Sequence, residues 1–372
     1  MTRPRSALVS LSDTPWYHVV NRCVRRAFLC GHDAHTGKTF EHRRGWIETR
    51  IRELASVFSI DVAAYAVMSN HYHVVLRVDA ERARSWSTDE VLRRWTQLFT
   101  GPQLVQRYHQ QPALRALMGY AERAKVDEMA DTYRARLFDL SWYMRVLNES
   151  IARQANAEDG VKGCFWEGRF KSQALLDEQA LLSAMAYVDL NPVRAGIAES
   201  LEDSAHTSMA ARLAELRGHA FEVVDVPASA PAPAVPAKPN MAARRVPPAN
   251  IPQLLPEQAL AALTAASLMP FDPTARFALA VPFGLEEYLD LVDTVGRVVH
   301  PQKRGAIASH APALLQRLGM DTEAFIACAD TFFSTFAHAV GTPASLIKLA
   351  CARQRRALRG MATARKMQCT QL

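Results

Sequence analysis

Within residues 226–256 fall 9 of the 20 prolines, with no acidic residue and no periodicity. Each proline removes a backbone donor and fixes φ near the polyproline value, so neither a helix nor a sheet strand can run through this stretch. A semi-rigid linker is the expectation. The 372 residues are then split into a large N-terminal part and a C-terminal part spanning 257–372. A chain of this length has room for about two domains. No internal repeat is present.

The N-terminal pattern is mixed. Residues 16–24 (WYHVVNRCV) are rich in β-branched and aromatic types and predict a strand. Residues 39–58 place Phe40, Trp46, Ile47, Ile51, Leu54 and Val57 at helical spacing. Two apolar runs, 61–68 and 71–78, are separated by Ser69-Asn70 and predict a hairpin. Helical patterns follow over 88–100 and much of 112–137, broken at Gly101-Pro102, and again over 141–156. Residues 164–175 predict a strand or an extended pair. From Asp177 a helix runs to Leu190 and stops at Asn191-Pro192, because proline disfavours α geometry in the residue before it. This order implies an α+β fold, an antiparallel sheet with packed helices. The C-terminal part is helical in pattern over 255–268, 284–299, 311–319, 321–339 and 343–360.

Charge points towards an acidic partner. The net charge is +7, and arginine outnumbers lysine 36 to 8. Guanidinium groups suit bidentate phosphate contacts, although proteins encoded by high-GC genomes show the same arginine excess. After Asp330 there is no acidic residue, while Lys348, Arg353, Arg355, Arg356, Arg359, Arg365 and Lys366 follow. Such a tail is either a phosphate-binding surface or a solvated helix face. The 6 cysteines form no CxxC pair and read as reduced thiols. No apolar run reaches membrane-spanning length, and the first residues lack the apolar stretch of a signal peptide, so a cytoplasmic location is expected.

Two elements carry possible chemistry. In Asn70-His71-Tyr72-His73, a strand would place His71 and His73 on one face and Tyr72 in the opposite layer. Neutral imidazoles so placed can share a divalent cation, or they can be strand histidines with ordinary hydrogen-bond partners. The second element is Tyr187-Val188-Asp189-Leu190-Asn191-Pro192-Val193-Arg194-Ala195-Gly196. Helical spacing i, i+4 points Tyr187 and Asn191 the same way. A phenol can be a nucleophile and an amide oxygen a hard ligand, yet a tyrosine on a helix face is more often core.

Together these elements resemble the HUH single-tyrosine transposases, in particular the REP-associated tyrosine transposases and their insertion-sequence relatives. The likeness extends to Tyr17-His18-Val19-Val20-Asn21-Arg22, Met68-Ser69-Asn70-His71-Tyr72-His73-Val74 and Trp166-Glu167-Gly168-Arg169-Phe170-Lys171-Ser172, in the expected order over residues 16–196. The resemblance implies a ferredoxin-like sheet with the two histidines on a central strand and the catalytic domain within 1–205. It implies His71, His73 and Asn191 as ligands of Mg²⁺ or Mn²⁺, and Tyr187 as the nucleophile. The implied reaction cleaves and rejoins single-stranded DNA at hairpins through a 5′-phosphotyrosine. The segment 80–138 is an insertion relative to small members of the family. Residues 257–372 look similar to the extension of longer ones, around Tyr288-Leu289-Asp290-Leu291-Val292-Asp293 and Lys303-Arg304-Gly305-Ala306.

Arg22, Arg25, Arg169, Lys171 and Arg194 are the candidate DNA contacts. Arg169 and Lys171 alternate on one strand face, which suits tracking of a phosphate backbone and equally suits an exposed edge. His18 is expected to be structural or DNA-facing rather than a ligand, and Trp166 and Phe170 to be core more often than base-stacking. All the motifs precede the linker, so a fragment ending near residue 225 is expected to keep the chemical site. The partners implied are DNA and, in one of the two oligomeric states open to such enzymes, a second copy of the chain. Alternative functions are a DNA-binding regulator of the same fold without cleavage, and a replication initiator or relaxase-type nickase.

Overall fold

A computed structural model describes residues 8–24, 29–32, 37–201, 203–218, 252–277, 279–299 and 312–368. Arg25 and residues 226–251 of the proline-rich stretch lie outside these described residues.

Strand β1 (Trp16–Arg22) is followed by helix α1 (Arg43–Val57) and the hairpin β2 (Ile60–Val67) and β3 (His71–Val78). The predicted turn is realised: Met68 N donates to His71 O across Ser69-Asn70. The 80–138 segment is wholly helical in its ordered elements: α2 (Ala80–Arg84), α3 (Thr88–Thr96), α4 (Gln103–Gln110), α5 (Pro112–Ala116) and α6 (Tyr120–Leu137). It builds a satellite core in which Trp95 stacks on Tyr133 at 4.5 Å. Then come α7 (Leu140–Glu158), β4 (Lys171–Leu175), α8 (Glu178–Asp189), the single helical turn α9 (Asn191–Arg194) and α10 (Ser208–Leu216).

The sheet order is β2-β3-β1-β4-β5, with β5 (Ala339–Val340) donated by the C-terminal part. The β2–β3, β3–β1 and β1–β4 pairs are antiparallel, whereas β5 lies parallel to β4. An α+β sheet packed by helices is therefore present, as the pattern predicts. Alternation sorts the faces: Tyr72 Oη donates to Asn148 Oδ1 of α7, whereas His73 lies against Tyr187 of α8.

The C-terminal part continues through α11 (Glu257–Leu260), α12 (Leu285–Val299), α13 (Ala313–Arg317), α14 (Thr322–Thr335), α15 (Pro343–Ala352) and α16 (Met361–Met367). Its packing onto the N-terminal part is intimate. Tyr288 Oη of α12 donates to the buried Asp189 carboxylate at the end of α8, 2.6 Å away. That carboxylate also accepts from Ser208 Oγ and Met209 N, which ties α8 to α10. Helix α12 comes so close that a Cβ at Gly296 would sit 3.0 Å from Leu190 Cδ2.

Several expected elements are shorter in the structure. Residues 255–268 form only the turn α11, because their backbone has tertiary partners: Ala266 N donates to Arg52 O, and Ala266 O accepts from Arg52 Nε. Helical propensity loses to these pairings. The 343–360 pattern stops at Ala352, the 321–339 pattern at Thr335, and residues 339–340 join the sheet instead. Within 164–175 only β4 is strand. Trp166 makes an isolated bridge to Cys23 and its indole turns inward to donate to Asn148 O, so it is core. The end of the proline-rich stretch is docked: Leu254 is buried and Leu255 N donates to Leu98 O. Among the described residues no helix is long and apolar enough to cross a membrane.

Candidate active-site cleft

A cleft of about 310 Å³ opens where β1, β3 and the approach to β4 meet α8. Its walls include Arg22, His71, His73, Arg169, Lys171 and Tyr187. Period-2 alternation assembles it. Val20 stands opposite His73 on one side of β1 and opposite Lys171 on the other, so one sheet face carries all three towards α8. Helix α8 is started by Asp177, whose carboxylate accepts from Ala180 N. It ends where Pro192 occupies the first turn of α9, a position that needs no donor.

Tyr187 is 8% exposed and its ring is clamped. His73 lies edge-on at 5.4 Å, His18 at 5.8 Å, and Phe332 of α14 is tilted at 5.3 Å. The Arg194 guanidinium stacks over the ring at 4.4 Å. Arg194 also donates from Nη2 to Asn191 Oδ1 at 3.0 Å and from Nη1 to Ala329 O at 2.7 Å.

The imidazoles are held neutral. Burial pushes His71 down to about 4, with the Arg22 and Arg194 charges adding to the shift. His73 is driven well below the ordinary value, first by burial and then by His18 and His71. His18 falls to about 4 through burial, partly offset by its hydrogen bond to Gln173. A neutral imidazole is the form that ligates metals. The His71 and His73 rings are 4.8 Å apart. His71 Nδ1 lies 2.6 Å from Asn70 Oδ1, which can only accept, so the proton is on Nδ1 and Nε2 keeps its lone pair. His73 Nε2 is buried with no hydrogen-bond partner.

Two imidazole nitrogens of the kind that can hold a divalent cation are thus at hand, and Glu167 lines the same cleft. Asn191 is placed differently: it is not among the cleft walls, its oxygen accepts from Arg194, and its Nδ2 is buried without a partner. Among the described residues no group of three or more His, Cys, Asp or Glu is arranged to hold a metal ion.

Of the predicted DNA contacts, Arg22, Arg169 and Lys171 converge on the cleft and are exposed. Arg194 lies behind Tyr187, half-buried. Sequence reasoning missed Gln173, Glu167 and the two phenylalanines. Phe333 is a cleft wall and Phe332 touches Tyr187, yet both come from beyond the linker, so residues 1–225 do not contain the whole site. The period-2 signal that pairs His71 with His73 would also have aligned Gln173 with Lys171.

The neutral histidines make stability pH-dependent. Above about pH 6.5 both folded and unfolded chains carry them uncharged. Between that value and about 4 the unfolded chain binds protons that the folded chain refuses, so stability falls as pH falls. His18 alone contributes a slope of up to about 1.4 kcal/mol per pH unit in this window. Urea midpoints of metal-free protein between pH 7.5 and 4.5 should therefore drop more steeply in the wild type than in His18→Gln. Equal slopes would show that His18 titrates normally.

No family model matches the chain, and no curated protein matches it. One solved structure resembles it: a REP-associated tyrosine transposase bound to a REP hairpin, at 13% identity and a TM-score of 0.32, with 64% of this chain and 100% of that chain covered.

Proposed function

We propose that the chain is a tyrosine transposase of the HUH type, which cleaves and rejoins single-stranded DNA at hairpin sequences with Tyr187 as nucleophile. The observation that carries this reading is the packing of Tyr187 against His73 in a cleft shared with His71 and walled by three exposed cations. The strand order β4-β1-β3-β2, with a helix between β1 and β2 and helices between β3 and β4, is that of a ferredoxin-like sheet and supports it further.

In this mechanism Arg22, Arg169 and Lys171 hold the DNA backbone across the cleft mouth. His71 and His73 would hold Mg²⁺ or Mn²⁺, which supplies Lewis-acid polarisation of the scissile phosphate. The Tyr187 oxygen attacks phosphorus as the bond to the 3′ oxygen breaks. The phenol proton is balanced by the proton taken up by the departing 3′-hydroxyl. The phosphotyrosine stores the bond, so a second 3′-hydroxyl can reverse the step without ATP. Arg194 fixes the ring from behind and Phe333 walls the cleft.

The test is incubation of the full chain with labelled single-stranded hairpin DNA and Mn²⁺. An adduct that survives denaturation, on the peptide containing residue 187, is expected. DNA bound without any adduct sinks the enzyme reading. It would favour the second one, a DNA-binding regulator of the same fold, to which the engagement of Asn191 Oδ1 by Arg194 already lends weight.

His71→Ala and His73→Ala should each abolish cleavage while leaving DNA binding within about tenfold, since phosphate contacts supply most of the affinity. Asn191→Ala should be milder, because its oxygen is already engaged. Rates matching the wild type in both histidine variants would remove the metal role.

A second cleft, of about 650 Å³, is lined by Arg353, Arg355, Arg359 and His338 together with Ser10 and Asp13. Arg353 is paired with Asp13, whereas Arg355 and Arg359 are exposed. As extra phosphate contacts they should steepen the salt dependence. The Arg355→Gln/Arg359→Gln double variant should lower the slope of log affinity against log salt by about 1.5. An unchanged slope would mean a solvated face.

A further inference from the structure

A buried row of hydrogen bonds runs from the C-terminal part to the cleft through residues that the chemistry above does not use. Gln173 Nε2 donates to Phe336 O, the residue that ends α14, at 2.9 Å. Gln173 Oε1 lies 3.1 Å from His18 Nδ1, and His18 Nε2 lies 3.0 Å from His73 Nδ1. Three adjacent strands, β4, β1 and β3, each contribute one member. Gln173 stands directly opposite His18 in the β1–β4 ladder.

The donor inventory gives each bond its direction. The amide nitrogen of Gln173 is committed to the carbonyl, so the oxygen faces His18 and can only accept. His18 Nδ1 therefore carries a proton. His18 is fully buried, and among the described residues its side-chain neighbours are Gln173, His73, Tyr187, Phe332 and Phe333, with no carboxylate among them. A second proton would create an uncompensated buried charge, so Nε2 is a lone pair. His73 Nδ1 must then be the donor. Its single proton is spent there, which leaves Nε2 as the buried atom with no partner.

We propose that Gln173 and His18 are positioning residues that lock His73 as the Nδ1–H tautomer, using the backbone carbonyl that ends α14 as the fixed reference. The C-terminal part thereby orients a side chain of the cleft. The isolated imidazole favours the opposite tautomer, so Nδ1 protonation at both His18 and His73 is diagnostic. The consequence for a metal ion rests on the two-histidine reading above: an outer partner that fixes a ligand's ring strengthens binding by about 10- to 100-fold.

The experiment is long-range ¹H–¹⁵N correlation on the full-length, metal-free protein with labelled histidine, at pH 7.5, assigned through His18→Gln and His73→Gln. Protonation on Nδ1 of both residues is expected. A proton on Nε2 of either one overturns the proposal. Gln173→Met removes both ends of the anchor and should mix the tautomers and weaken Mn²⁺ binding by about 10- to 100-fold, with the circular dichroism spectrum unchanged. An unmixed His73 tautomer in folded Gln173→Met also overturns it. If wild-type protein carries the proton on Nδ1 of both residues but binds no Mn²⁺, the positioning row is supported and the metal reading is the one that fails.

Discussion

Tyr187→Phe should form no covalent adduct at all and still bind a single-stranded hairpin within about threefold of the wild type, because the phosphate contacts that supply most affinity remain. The phenylalanine ring keeps what holds the tyrosine ring: His73 and His18 edge-on, Phe332 tilted, and the Arg194 guanidinium above. Only the attacking oxygen is lost. Competing tyrosines are poor substitutes for a physical reason. Burial pushes Tyr17 up to about 12, and it drives Tyr65, Tyr72 and Tyr288 well above the usual phenol range. Tyr120 is the exposed exception, at 90%, so Tyr120→Phe is the control and should form adduct normally. The readout is a denaturing gel of labelled DNA together with the mass of the modified peptide. An adduct formed by Tyr187→Phe would remove Tyr187 from the nucleophile role.

Truncation after residue 225 should have the second-largest effect, with loss of cleavage and of a monodisperse fold. The fragment would retain every motif quoted from the sequence, yet it would lack four supports. Phe332 would leave the Tyr187 ring, Ala329 O would leave Arg194, Phe336 O would leave Gln173, and Tyr288 would leave the buried Asp189 carboxylate. Phe332, Phe336 and Tyr288 are at most 2% exposed in the full chain. Burial of each such side chain is worth about 1.5–3 kcal/mol, and a buried carboxylate that loses a donor costs about as much again. Loss of β5 also leaves β4 as an open edge. A full-length chain cut at a protease site inserted within 226–251 should behave differently: its two pieces should co-elute and keep cleaving. Size-exclusion chromatography and the adduct assay distinguish the two cases. If the 1–225 fragment is monodisperse and cleaves at the full-length rate, the C-terminal part is no part of the site.

What the sequence determined by itself was local. The β2–β3 hairpin follows from two apolar runs around Ser69-Asn70. His71 and His73 share a face because a strand repeats every two residues, and Tyr72 turns into the other layer for the same reason. Asp177 starts α8, and Pro192 closes the turn after it, by capping chemistry legible in a few neighbouring residues. These features place Tyr187 on a helix and two histidines on a strand. Only the tertiary structure decided that they meet. Gln173 finds His18 across 155 residues, and Phe336 finds Gln173 across 163, through a strand register that no local pattern encodes. Nor does any local pattern show that Arg194 donates to Ala329 O across 135 residues, or that residues 339–340 leave a helical pattern to extend the sheet. Local periodicity is set by backbone geometry within a few residues. Long-range partners are chosen by which burial leaves the fewest unpaired polar groups, and that choice is made by the whole chain at once.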